Sequence, residues 1–178
     1  MTAPGLALAV ALAVAAASPA PVSFPGAAEA KDPTGRYAVV LAPAEGRREL
    51  RLQVLASGAS RPLLTLHRSA AVFWSPDGSS VAVTDRRSAD STTALLFFAD
   101  RPESVDLAAA LAKDLGPLPE LTENRRVFLE VVRWLDAKRL RVRLRGWGNR
   151  DPEGFDELFD YELGGRFRRA SSLVPPAR

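Results

Sequence analysis

The chain has 178 residues, 47% hydrophobic and 25% charged, with a formal net charge of +3. That suits one domain with a real core. Cysteine is absent and His67 is the single histidine, which excludes a disulfide framework, a thiolate nucleophile and a zinc site of nitrogen and sulfur ligands. No metal and no cofactor are expected. All basic residues but Lys31, Lys113 and Lys138 are arginine, yet 21 acidic residues nearly balance 24 basic ones. The basicity reads as composition, and nucleic acid is not expected as a partner.

In chain order, the first feature is "LALAVALAVAAA", residues 6–17. Twelve apolar residues are too few to span a bilayer, which takes about 20 in a helix, but they suit the apolar segment of a signal peptide. Ser18-Pro19-Ala20 offers a small-x-small cleavage site. A signal peptide is therefore expected over 1–20, and no cysteine follows to take a lipid anchor. Residues 21–31 read as a linker, 32–172 as the folded domain and 173–178 as a tail. No transmembrane span is expected in the mature chain, which places the protein in the periplasm or outside a bacterial cell.

Three related units follow. Unit one begins at Asp32-Pro33-Thr34-Gly35 and predicts strands near 36–42, 49–56 and 61–67. Unit two contains "VFWSPDGSSVAVTD", residues 72–85, with strands near 70–75, 79–85 and 93–99. Asp77-Gly78 is a hairpin turn signal, because positive φ costs glycine little. The two turn glycines, Gly35 and Gly78, stand 43 residues apart, the period of a four-stranded propeller blade. A segment at 102–125 breaks the pattern. Val105, Leu107, Ala108, Leu111 and Leu115 share a helical face, Ser104 is placed to cap it, and Gly116-Pro117 stops it. This helix is expected to pack across a sheet and cover an edge. Unit three resumes with Trp134 in the place of Trp74, and predicts strands near 127–134, 139–146, 155–163 and 166–172.

"FWSPDGSSVAVTD" resembles the repeat of TolB-like and WD40-like β-propellers, whose blades carry a W-S-P-D-G turn before an alternating strand. "DPTGRYAV" in unit one and "RWLDAKRLRVRL" in unit three repeat it more loosely. The resemblance implies a mainly β fold of about three antiparallel, blade-like meanders with one inserted helix, and a binding scaffold. Closed propellers typically have four or more blades. The chain is then an open or incomplete propeller, a compact β-rich domain, or part of a ring closed by oligomerisation.

Candidate chemistry is sparse. Arg139, Arg141, Arg143 and Arg145 alternate with Leu140, Val142 and Leu144, so a strand puts four guanidinium groups on one face. Asp156, Asp160 and Glu162 fall on one face of the next strand. Paired antiparallel, these form a charge ladder, with an anion-binding stripe as the alternative. The loop "GWGNRDPEG", residues 146–154, holds Trp147 between two glycines with Asn149 and Arg150 beside it, suited to stacking on a sugar or a partner side chain. Trp147, Asn149, Arg150, Arg143 and Arg145 are the candidate binding residues. No catalytic residue is assigned. Ser75 sits in a turn rather than a nucleophile elbow, and "DRRSADSTT", residues 85–93, lacks the oxygen spacing of a calcium loop.

These features predict an exported, non-enzymatic binding or interaction module whose partner is another envelope protein or a second copy of the chain. The alternative is a small exported hydrolase, or hydrolase-like remnant, using His67 or a carboxylate pair. A third reading is an accessory that adds a strand to a partner's sheet.

Overall fold

The structure, a computed structural model, describes residues 18–116 and 118–170. All but the last three residues of the expected signal segment lie outside these, as does the tail. Among the described residues thirteen strands and two helices follow one another. The first repeat unit is a four-stranded antiparallel sheet of β2 (Glu29–Lys31), β3 (Tyr37–Ala44), β4 (Arg47–Val54) and β5 (Ser60–Leu66). The second is β6 (Ser69–Trp74), β7 (Ser80–Arg86), β8 (Ser91–Phe98) and the short β9 (Ser104–Asp106). The third is β10 (Arg126–Trp134), β11 (Arg139–Trp147), β12 (Phe155–Glu162) and β13 (Arg166–Arg169). The fold is thus mainly β, in three antiparallel meanders of four strands.

Two expectations about boundaries are corrected. Residues 21–31 do not form a linker. They hold β1 (Val22–Phe24), which pairs with β6, and β2, the first strand of meander one. Phe24 and Ala30 are buried in the core, and strands of three residues are too short for alternation to show. The segment 102–125 is not wholly helical either. It opens with β9, the fourth strand of meander two, so Val105 faces Leu96 across a strand pair rather than lying on a helix.

Helix α1 (Leu107–Leu115) is capped by Asp106, not Ser104. The Asp106 carboxylate accepts from the Ala108 and Ala109 amides at 2.9 and 3.2 Å, satisfying donors that a helix start leaves free. Gly116 ends the helix at φ +84°. A four-residue helix, α2 (Pro119–Thr122), follows before β10. Leu107 and Leu111 are fully buried, but Leu115 is exposed. Asp114 accepts from the Phe167 amide at 2.7 Å. The helix therefore covers the free edge of β13, as an edge strand requires.

Two cores lie on the two faces of meander two. One gathers Val39, Leu50, Leu52, Trp74, Val81 and Val83 between meanders one and two. The other gathers Phe73, Ala82, Leu96, Val131, Trp134, Leu140 and Phe159, with the two helix leucines, between meanders two and three. A tryptophan crosses each junction. Trp74 Nε1 donates to the Ala30 carbonyl and Trp134 Nε1 to the Phe73 carbonyl, both at 2.9 Å. Ala30 and Phe73 themselves stand one 43-residue period apart. A buried indole N–H and a buried carbonyl thus satisfy each other at both junctions.

The turns repeat as well. Buried Asp32 accepts from the amides of Thr34 at 2.9 Å and Tyr37 at 2.7 Å. Ser75 takes the same place in unit two, and its Oγ accepts from the Ser80 amide at 3.0 Å. Gly78, at φ +69°, lies so close to the Asp32 carboxylate that a Cβ would overlap it.

One pairing breaks the blade pattern. The first residues of β10 run parallel to β8, with Ser91 beside Val127 and Thr92 beside Phe128. Thr92 Oγ1 donates to the Leu129 carbonyl at 3.2 Å, and the Val131 amide donates to Thr84 Oγ1 at 2.9 Å. These bonds satisfy backbone groups of β10 that its partner β11 does not reach. Meanders two and three consequently share one nine-stranded sheet, while meander one stays separate. Among the described residues, no helix is long and apolar enough to cross a membrane.

Candidate functional site

Antiparallel connection sends alternate turns to opposite ends of the array. One end holds the β3–β4 hairpin, the His67-Arg68 link, the β7–β8 turn at 87–90, the entry to β10 and the loop 148–154. At this end the fused sheet sets residues from five strands in one row. Ser69 faces Arg86 across β6 and β7, Thr92 faces Phe128 across β8 and β10, and Phe128 faces Arg145 across β10 and β11. With Arg68 and Glu130 they line a cleft of about 270 Å³.

The electrostatics of this cleft are one-sided. Glu130 is its carboxylate, reached by Arg145 Nε at 3.1 Å and by Arg86 Nη2 at 3.9 Å. Arg68 makes no ion pair among the described residues. Three guanidinium groups thus face one carboxylate. The apolar wall is Phe128. The Arg145 guanidinium lies 5.3 Å from its ring centroid, and the Trp147 ring packs 5.5 Å away at a 31° tilt. Arg126 lies 5.4 Å from the Trp147 ring centroid and pairs with Asp90 at 2.8 Å. Cations and aromatic rings alternate along this surface, an arrangement attractive in itself.

The loop 146–154 is firmly held. Asn124 and Asp151 bond reciprocally: Asn124 Nδ2 donates to Asp151 Oδ2 at 2.9 Å, and the Asp151 amide donates to Asn124 Oδ1 at 3.2 Å. Gly146 lies against the Arg126 carbonyl and the Phe155 ring, and Gly148 against the Arg125 amide. Any side chain at either place would push the loop off the entry to β10. Trp147 is thereby fixed at the surface, 40% exposed.

The structure brings Arg145 and Trp147 together on either side of Phe128. Arg150 stands apart, among Glu120, Glu123 and Asp151 at 3.6–3.8 Å. Asn149 is exposed in the loop. Arg143 belongs to the outer face of meander three, paired with Asp156. On that face Arg141 grips Asp160 in a fork at 2.7 and 2.9 Å, and Arg139 pairs with Asp136 at 2.6 Å. The arginine strand is therefore a charge ladder. Its partners are Asp156 and Asp160 as the spacing predicts, but Glu130 and Asp136 complete it rather than Glu162. The Arg143 hydrogen bond holds the Asp156 carboxyl below its ordinary pKa.

His67 is exposed and lines a separate cavity of about 500 Å³ with Arg47, Arg48 and Thr65. Asp85 is buried, with Arg87 Nε on one oxygen at 2.7 Å and no partner on the other among the described residues. Among the described residues, no three His, Cys, Asp or Glu side chains cluster as metal ligands do.

Sequence reasoning missed Arg68, Arg86, Phe128 and Glu130. One signal was available. Trp74 faces Val81 and Trp134 faces Leu140, so counting along the following strands makes Arg86 the equivalent of Arg145. Both strands carry an arginine at this position, at the same end of the array. The parallel bridge that sets the two side by side has no such mark.

No family model matches the chain, and no curated protein does. Among solved structures the chain is similar to one described as the crystal structure of TolB from Acinetobacter baumannii, at 12% identity and a TM-score of 0.45. The match covers 80% of this chain and 31% of that one, so the chain spans about a third of that structure's length.

Proposed function

We propose that the chain is an exported binding module that recognises its ligand with the loop-bearing end and performs no catalysis. The observation that carries this reading is the row Thr92–Phe128–Arg145, brought beside Arg86 by the fusion of two meanders. A rigid sheet there presents an aromatic wall, surplus cations and a pinned Trp147, the mixture of apolar surface and few placed polar groups that binding clefts use. Arg145 and Trp147 are its central residues. Asn149, Arg150 and Arg143 extend it toward the loop and the outer face. The hydrolase alternative gains no support from His67, whose cavity supplies guanidinium groups and a threonine rather than a carboxylate to orient the imidazole.

Export follows from the apolar run at 6–17 and the small residues at 18–20. Its test is N-terminal sequencing of the protein recovered from periplasm or medium, with a start just after Ala20 expected and an intact Met1 opposing it. Binding is tested by capture from the same compartment with the mature chain, comparing Trp147→Ser and Arg145→Ala with Arg101→Ala at the opposite end. Partners lost only with the first two support the reading. Equal loss with all three overturns it.

A further inference from the structure

We propose that the cleft between Arg68, Arg86 and Phe128 is a receptor for an acidic sugar, a pyranose bearing a carboxylate or a phosphate. This rests on the reading of the loop-bearing end as a binding surface, and names the ligand class.

The charge count comes first. Glu130 is shared between Arg86 and Arg145, and Arg68 adds a third cation with no carboxylate of its own among the described residues. Arg86 meets Glu130 at 3.9 Å, a distance that leaves its hydrogen-bond donors free for another acceptor. Two forked guanidinium groups on neighbouring chain segments, Arg68 leading into β6 and Arg86 ending β7, match the two-oxygen edge of a carboxylate or phosphate. Lysines would take the charge without the fork, and here every cation is arginine. The anion would enter with its charge largely matched, which offsets the cost of removing it from water.

The wall says what bears the anion. Phe128 faces the cleft, and its neighbour Trp147 lengthens the apolar surface. Beside it stand the hydroxyls of Ser69, Ser88 and Thr92. A pyranose has this division: an apolar face of C–H groups and an edge of hydroxyls. The volume of about 270 Å³ lies at the small end of the roughly 300–1,000 Å³ typical of ligand clefts. It has room for one ring with its acid group, not for a nucleotide. A single-stranded nucleic acid would want successive aromatic platforms along a basic groove, whereas the apolar wall here is the single stacked pair Phe128 and Trp147.

The test uses the mature chain and tryptophan emission. Trp74 and Trp134 are buried and Trp147 is exposed, so a response at the cleft comes from Trp147. The probes are glucuronate, galacturonate, glucose 6-phosphate, glucose and inorganic phosphate, titrated at physiological salt. The acidic sugars are expected to bind at least about tenfold more tightly than glucose or inorganic phosphate. The uronates against glucose 6-phosphate decide between carboxylate and phosphate. Arg68→Ala and Arg86→Lys should each weaken binding about tenfold, the latter because charge remains but the fork is lost. Arg139→Ala, on the outer ladder, should change nothing. Arg68 holds no ion pair among the described residues, so its variant tests the cleft even where changes at Arg86 disturb the sheet. Equal binding of glucose and glucuronate, equal loss with Arg139→Ala, or no response to any acidic sugar overturns the proposal. If the last result comes with capture that still depends on Trp147, the binding-module reading stands and only the sugar falls. If an acidic sugar binds and is converted to product, the cleft stands and the non-catalytic reading falls.

Discussion

Strand β7 in the middle meander and β11 in the third occupy the same place in their repeats, yet their burial differs. In β7 six residues in succession, Ser80 to Asp85, are buried. In β11, buried Leu140, Val142 and Leu144 alternate with Arg139, Arg141, Arg143 and Arg145, each partly or fully exposed. Counting from the residues that face the two tryptophans, Ala82 corresponds to Arg141 and Thr84 to Arg143. Ala82 points into the core shared with meander three. Arg141 points where a fourth meander would lie. A strand packed on both faces reads as a near-continuous apolar run, and one packed on a single face alternates. The period of this strand therefore records how many neighbours its meander has. Stacking another would bury a ladder of paired charges, so the outer face acts as the polar cap of a repeat array. Meander one ends the other side similarly, with Glu49 and Arg51 paired at 2.6 Å.

The comparison is broken most severely by giving the middle strand the residue of the terminal one. Ala82→Arg places a guanidinium in a fully buried site within the apolar cluster of Phe73, Leu96, Val131 and Leu140. An unpaired buried charge costs several kcal/mol, against a total stability of about 5–15 kcal/mol for a domain. Soluble folded protein should be lost, as read by circular dichroism and gel filtration. Arg141→Ala at the corresponding position should leave both unchanged. Wild-type behaviour of Ala82→Arg would mean that meander three does not pack on meander two.

Next comes the pin between meanders. Trp134→Ala removes a large buried aromatic and should cost about 3–5 kcal/mol. Trp134→Phe keeps most of the ring but strands the Phe73 carbonyl, at about 1–3 kcal/mol. Urea denaturation should rank them in that order. The same pair of changes at Trp74 loosens meander one, which joins no shared sheet. A second, earlier transition for the Trp74 variants would show the separate sheet unfolding by itself.

The units and their strands were legible because they rest on local signals, turn residues and alternation, and from β3 onward each strand except β9 lies within a few residues of its expected place. What was not legible depended on partners distant in sequence. Residues 21–31 carry too few apolar positions to declare β1 and β2. Asp106 displaces Ser104 as the helix cap because β9, a pairing with β8, consumes Ser104 and Val105 first. The cleft was half visible. Arg145 and Trp147 stood out by their setting. Arg68, Arg86 and Glu130 did not, since only the parallel bridge from β8 to β10 gives them a common site.

A third contrast separates packed from open turns. Gly78 in the middle meander needs positive φ and has the Asp32 carboxylate against it, whereas Gly164 in the third has positive φ with nothing nearby. Left-handed backbone alone costs a side chain about 1–2 kcal/mol. Gly164→Ala should stay near that figure, and Gly78→Ala should exceed it in urea denaturation, because the Asp32 turn must also shift. Equal costs would show that the two turns do not touch.

The smallest effects belong to the ladder, and acid and salt separate it from the packed turns. Asp156 is held low first by its Arg143 hydrogen bond, against a smaller upward push from burial. For Asp32 burial pushes upward most, but hydrogen bonds from Thr34, Tyr37 and Arg36 together outweigh it, so its pKa is lowered too. Both carboxyls bind fewer protons folded than unfolded at low pH. Their stabilisation is therefore complete above the unfolded value near 3.8 and is lost as pH falls below it. The two causes respond differently to salt. The Arg143–Asp156 pair is nearly half exposed on each side and is worth about 0.2–1 kcal/mol, less as salt screens it. The hydrogen bonds on Asp32 lie within a packed turn, where salt screens little. Asp156→Asn should thus lower the urea midpoint slightly at pH 6 in low salt, with no difference in high salt and a smaller difference at pH 3 than at pH 6. Asp32→Ala should cost about 1–3 kcal/mol at pH 6 in either salt, by stranding the Thr34 and Tyr37 amides. A large, salt-independent loss for Asp156→Asn would make the outer face of meander three part of the packed structure, and would remove the distinction between a terminal unit and a middle one.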